Sequence, residues 1–167
     1  MELACYVRVD RRVLATCRRE PARLDRLIEG QLRTGRRLDL GQAWDGLHYL
    51  LSPRRRAGAI RDTGDPFGLA LFGGDPINPY AMDPAEIVRA LESAAVARID
   101  RELQKIHAGD LRRQYDCEAM DRMAVQPADW ATRGEEGFEY LLDAFLQWRE
   151  LYHLAAEENL AVICAVR

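Results

Sequence analysis

Asp39-Leu40-Gly41-Gln42-Ala43-Trp44-Asp45-Gly46-Leu47-His48-Tyr49-Leu50-Leu51 is the stretch on which the reading of the chain turns. Its apolar residues Leu40, Ala43, Trp44, Leu47, Leu50 and Leu51 recur at the i, i+3, i+4, i+7 spacing of a helix with one buried face. On the other side Gln42, Asp45, His48 and Tyr49 lie within i,i+3 and i,i+4 reach of one another. Gly41, one turn below Asp45, leaves room beside that cluster. Asp39 is the expected N-cap. Ser52-Pro53 is the expected stop, because a residue before proline is pushed out of the α region.

Upstream, Leu3, Cys5, Val7 and Val9 alternate with Ala4, Tyr6, Arg8 and Asp10, the period of a half-buried strand. A short helix over 12–19 and another from Pro21 to Gly30 follow, then a polar turn at 34–37. Downstream, 53–66 is rich in Arg, Gly, Asp and Pro and reads as an exposed loop. Leu69-Ala70-Leu71-Phe72, bounded by Gly68 and Gly73-Gly74, reads as a strand from its length. Asp83-Pro84-Ala85-Glu86 carries helix-start signals, with Ile87, Val88, Leu91, Ala94 and Ala95 continuing an apolar face. Asp100, Asp110 and Asp116 read as caps of short helices.

Thr132-Arg133-Gly134-Glu135 reads as a capping box. It opens the longest expected helix, with a stripe of Phe138, Leu141, Leu142, Phe145, Trp148, Tyr152 and Ala155. Asn159 can end that helix in a left-handed conformation. Leu160–Val166 is apolar throughout, as in a central strand covered on both faces. The expectation is one α+β domain over 1–167, helices packed on a small mixed sheet with a buried C-terminal strand.

Composition narrows the function classes. The 167 residues are 48% hydrophobic and 31% charged, which describes a folded domain with a substantial core. The formal net charge of −3 gives no global signature of nucleic-acid or membrane binding. The charge is uneven: residues 1–62 carry 14 arginines against 8 acids, a balance of +6, and the remainder carries −9. Cys5, Cys17, Cys117 and Cys164 show no C-x-x-C spacing and no nearby histidine, so no metal set is expected. They read as reduced thiols of a cytoplasmic protein.

Residues 37–51 resemble the Leu-Asp-x-x-x-x-Trp-x-x-Leu-His-Phe/Tyr-x-Leu block of the YfbM-like family of small bacterial proteins of unknown function. Further similarities follow in the same order. They are Gly73-Gly74 after an apolar run, Pro84-x-Glu86-Ile87-Val88, Tyr115-Asp116 followed by Met120, Pro127-x-x-Trp130, and the 140–156 helix before a terminal apolar strand. Gln126-Pro127 departs from the family's frequent Tyr-Pro. The resemblance implies a compact α/β fold and supplies no reaction, substrate or site residue.

Asp45 and His48 are the acid–base candidates, since a carboxylate three residues before an imidazole on one helix face can fix its tautomer and raise its pKa. Tyr49 and Gln42 could orient a ligand. Arg54, Arg55 and Arg56 could clamp an anion, and Gly73-Gly74 could offer backbone N–H groups to one. Each has a plainer reading: a seated helix, a solvated loop, a chain turn. No nucleophile elbow, cofactor fingerprint or metal cluster accompanies them. The leading expectation is a non-catalytic binding module for a protein partner or small anionic ligand, without cofactor, nucleic acid or membrane. The alternative is a hydrolase or group transferase acting on an anionic, nucleotide-like molecule through Asp45 and His48.

Overall fold

A computed structural model describes residues 2–167. The N-terminal strand β1 (Ala4–Val9) pairs antiparallel with β2 (Arg37–Gly41) on one side and with the C-terminal strand β5 (Ala161–Val166) on the other. Two short strands, β3 (Asp75–Pro76) and β4 (Arg89–Leu91), complete the order β2-β1-β5-β4-β3. Every pairing is antiparallel, so the expected mixed sheet is corrected in this detail. All six residues of β5 are buried because both faces of the sheet are covered.

The two faces carry different cores. Val7, Val9, Ala161, Ile163 and Ala165 point to a smaller layer formed by α1 (Arg11–Arg19) and α2 (Leu24–Gly30), through Leu14, Cys17, Leu24 and Ile28. Ala4, Tyr6, Val162, Cys164 and Val166 point to the main core. There they meet α3 (Ala43–Leu51), α5 (Pro66–Phe72), α6 (Ser93–Gln104) and α9 (Trp130–Glu157). The turn α4 (Pro53–Arg56) follows α3, and α7 (Ala108–Gln114) and α8 (Cys117–Arg122) join α6 to α9. Tyr6, Trp130, Phe145, Trp148 and Tyr152 are wholly buried. Burial stabilises the fold by about 1.5–3 kcal/mol for each large apolar side chain.

The fold is α+β as expected, and several local expectations give way to neighbours in space. Asp39 does not cap α3: it lies in β2 and pairs with Arg37 at 2.7 Å. Gly41 closes β2 with φ +54°. The 69–72 run is helix, because Asp65 caps Phe67 and Gly68 N–H groups at 2.9 Å and Pro66 suits the first turn. Gly68 is required there, since a Cβ would lie 1.9 Å from the Asp62 carbonyl oxygen.

Asp83-Pro84 opens only one 3₁₀ turn; Val88 leads into β4, and the helix starts at Ser93. Asp100 therefore sits inside α6 and Asp110 in a capping box with His107, while Asp116 caps α8 as expected. The long helix begins at Trp130, held by Asp121 at 2.8 Å, and kinks at Gly134, which lies inside the expected capping box. Asn159 ends it with φ +54°, as its type allows.

Candidate functional site

All nine residues of α3 are buried, which removes the polar face from solvent. Burial follows from position: α3 lies between β2, α5 and α9. At Gly46 a Cβ would sit 2.6 Å from Leu141, so the absence of a side chain lets α9 cross closely. Asp45 accepts two hydrogen bonds from Arg55, at 2.7 and 3.1 Å, and a third from the Gln126 N–H at 3.0 Å. Arg55 is 2% exposed and thus does not belong to an exposed loop.

His48 is 0% exposed, and neither ring nitrogen has a hydrogen-bond partner among the described residues. Its ring meets Phe72 edge-on, with centroids 5.1 Å apart. Burial pushes its pKa down to about 4, although the Asp45 and Asp65 charges work in the other direction. The imidazole is therefore neutral at pH 7, and the Asp45 carboxylate is engaged by a guanidinium instead of by the imidazole.

The arginine triplet divides three ways. Arg54 is exposed and pairs with Asp62 through two contacts at 2.6 and 2.8 Å. Arg55 holds Asp45 inside. Arg56 donates to the Tyr49 and Leu50 carbonyls at 2.7 and 3.0 Å, satisfying the end of α3. Tyr49 is buried in the same core, and Gln42 precedes α3 without a side-chain cap bond. Gly73 and Gly74 line a separate cavity, so the candidates do not meet in one pocket. Their N–H groups are already bonded, to the Leu69 and Ala90 carbonyls at 2.9 and 3.2 Å. Gly73, at φ +78°, instead lets the chain lie close against Arg89 and Cys164, where a Cβ would come within 2.8 and 3.2 Å.

That cavity, about 270 Å³, is lined by two arginines that the sequence did not single out, Arg61 and Arg89. Arg61 has its backbone at φ +54° and reaches the Val166 carbonyl at 3.0 Å and Glu2 at 2.8 Å. Arg89 donates to the Gly74 carbonyl at 3.0 Å. Leu69, Phe72 and Ile87 supply apolar wall. Arg89 was hidden inside an expected helix and Arg61 inside an expected loop; no spacing rule joins positions so far apart.

No group of three or more His, Cys, Asp or Glu side chains is arranged to hold a metal ion among the described residues. Burial pushes the Cys5 and Cys164 thiols up to about 12, which keeps both protonated and poor as nucleophiles. No helix among the described residues is long and apolar enough to cross a membrane.

A family model described as "Domain of unknown function (DUF1877)" matches residues 1–165. No curated protein matches the chain in sequence. Among solved structures, the protein of unknown function YfbM from Escherichia coli is similar, with TM-score 0.78 and 15% identity over 99% of each chain. At that identity the likeness speaks for the fold. The family match spans nearly the whole sequence and the fold agrees with it, so the chain belongs to the DUF1877 family, the YfbM-like domains of unknown function.

Proposed function

We propose that this domain is a non-catalytic binding module of the bacterial cytoplasm. The observation that carries this reading is the state of the α3 polar cluster. An acid–base pair must reach a substrate and exchange protons near working pH. His48 is sealed and neutral, with no hydrogen-bond partner for either ring nitrogen among the described residues, and Asp45 is held by Arg55. These features favour structure over turnover and weigh against the hydrolase or transferase reading. Four unpaired cysteines support a reducing compartment.

The test compares wild type with His48→Leu. The purified chain is screened by thermal shift against small organic anions and peptides. It is assayed in parallel for hydrolysis of p-nitrophenyl phosphate and p-nitrophenyl acetate. The binding reading expects a ligand-dependent shift retained in His48→Leu and no turnover. Hydrolysis by wild type that disappears in a folded His48→Leu variant would overturn it.

A further inference from the structure

We propose that the cavity between the end of α5 and the strand pair β4–β5 binds a small organic carboxylate with an apolar body. Its carboxylate would sit between Arg61 and Arg89, and its body against Leu69, Phe72 and Ile87. This rests on the binding-module reading and names the ligand class for it.

Two arginines from distant segments face one small cavity. Each uses a single guanidinium nitrogen on the protein among the described residues: Nη2 of Arg61 on Val166 and Glu2, and Nη1 of Arg89 on the Gly74 carbonyl. The remaining N–H groups form the planar donor sets that match a carboxylate. Charge selects the ligand further. Arg61 is offset by Glu2, and Arg89 has no carboxylate partner among the described residues. One positive charge is left, which a monoanion balances and a phosphate dianion exceeds. The volume of about 270 Å³ lies just under the ~300–1,000 Å³ usual for small-molecule sites, so the body is short.

The backbone at Arg61 supports the same assignment. A non-glycine residue at φ +54° is uncommon, and such strain concentrates at binding sites. Here it directs a guanidinium to the cavity from a turn that glycine would occupy without strain.

The experiment is titration of the full chain with benzoate, hexanoate, acetate and inorganic phosphate, by calorimetry and ligand-observed NMR. Benzoate and hexanoate are expected to bind at least about tenfold more tightly than acetate or phosphate. Arg89→Gln and Arg61→Gly are each expected to weaken benzoate binding about tenfold or more. Arg61→Gly relieves the positive φ while losing the Val166 and Glu2 contacts, so its thermal midpoint is measured alongside its affinity, which separates lost binding from lost structure. Arg122→Gln, an exposed change on α8 that does not line the cavity, is expected to leave benzoate affinity unchanged. Unchanged affinity in a folded Arg89→Gln variant, or phosphate binding as tightly as benzoate, would overturn the proposal.

NMR also follows the fate of the ligand overnight. Benzoate bound and recovered intact supports both the site and the binding-module reading. Hippurate, an amide of benzoate that keeps a free carboxylate, is added to the same NMR samples: its hydrolysis by water to benzoate and glycine would keep the site and overturn the non-catalytic reading. No binding of any of the four anions overturns the site alone and leaves the module to protein partners.

Discussion

Asp45 and Arg55, ten residues apart on either side of Pro53, form a bidentate ion pair with side chains only 5% and 2% exposed. The pair ties α3 to the helical turn after it. Through the Gln126 N–H it also ties α3 to the segment before α9. Removing one member leaves the other charged and buried, which costs about 3–5 kcal/mol. Asp45→Ala should therefore lower the urea-unfolding free energy by that amount. Arg54→Ala, one position away but exposed, should change it far less, because an ion pair in water contributes little. Equal effects of the two substitutions would show that burial does not separate them.

His48 makes stability depend on pH. Its value falls from 6.5 in the unfolded reference to about 4 in the fold, because burial disfavours the cation. Within that window the unfolded chain binds more protons than the folded one, so stability falls as pH falls. The full loss is about 3 kcal/mol below the folded value. His153 acts with the opposite sign: its hydrogen bond to Asp100 raises its value, so its contribution fades as pH rises. Denaturation midpoints of wild type between about pH 7 and about pH 4 should slope downward, and those of His48→Leu should slope less. His48→Leu should also match or exceed wild-type stability at pH 7, since it removes two unpartnered buried nitrogens.

Two glycines give contrasting predictions. Gly68→Ala would drive a Cβ into the Asp62 carbonyl oxygen, a backbone atom that cannot rotate away. A loss of about 3 kcal/mol or more, or failure to fold, is expected. Gly46→Ala meets the tip of Leu141, a side chain that can turn aside, and gains about 1 kcal/mol of helix propensity. Its loss should be smaller, near about 1 kcal/mol, and thermal melts of the two variants would order them.

Tyr6 and Tyr152 close the C-terminal end of α5, donating to the Leu71 and Ala70 carbonyls at 3.0 and 2.6 Å. Each phenol is fully buried. Tyr6→Phe and Tyr152→Phe should each destabilise by about 1–3 kcal/mol, because a buried carbonyl is left without its donor. Both hydroxyls serve adjacent carbonyls of one short helix, so the double variant should depart from the sum in a double-mutant cycle.

The sequence by itself determined what local periodicity and composition control. The N-terminal strand, the fully apolar C-terminal strand, the helix over 12–19, the body of the long helix after 135 and the left-handed Asn159 were all legible, though the structure starts those helices at Arg11 and Trp130. In the helices the side chains that face the core repeat with the helical period, and β5 is apolar at every position because both of its faces are covered. The apolar stripe of α3 was equally plain, since Trp44, Leu47 and Leu50 all reach the main core.

Only the tertiary structure decided what the polar residues do. Helix spacing placed Asp45 near His48, but a neighbouring segment supplied Arg55, whose charge holds the carboxylate more strongly than a neutral imidazole could. The segment at 69–72 became helix because Asp65 and Pro66 start it, and β4 took residues 89–91 from an expected helix because β5 offered an open edge. Arg61 and Arg89 line one cavity because the end of α5 lies beside β4 and β5. Hydrophobic patterning acts over a few residues and is written along the chain. Ion pairs, caps and cavities are made between segments far apart in sequence, so their partners are set by the fold.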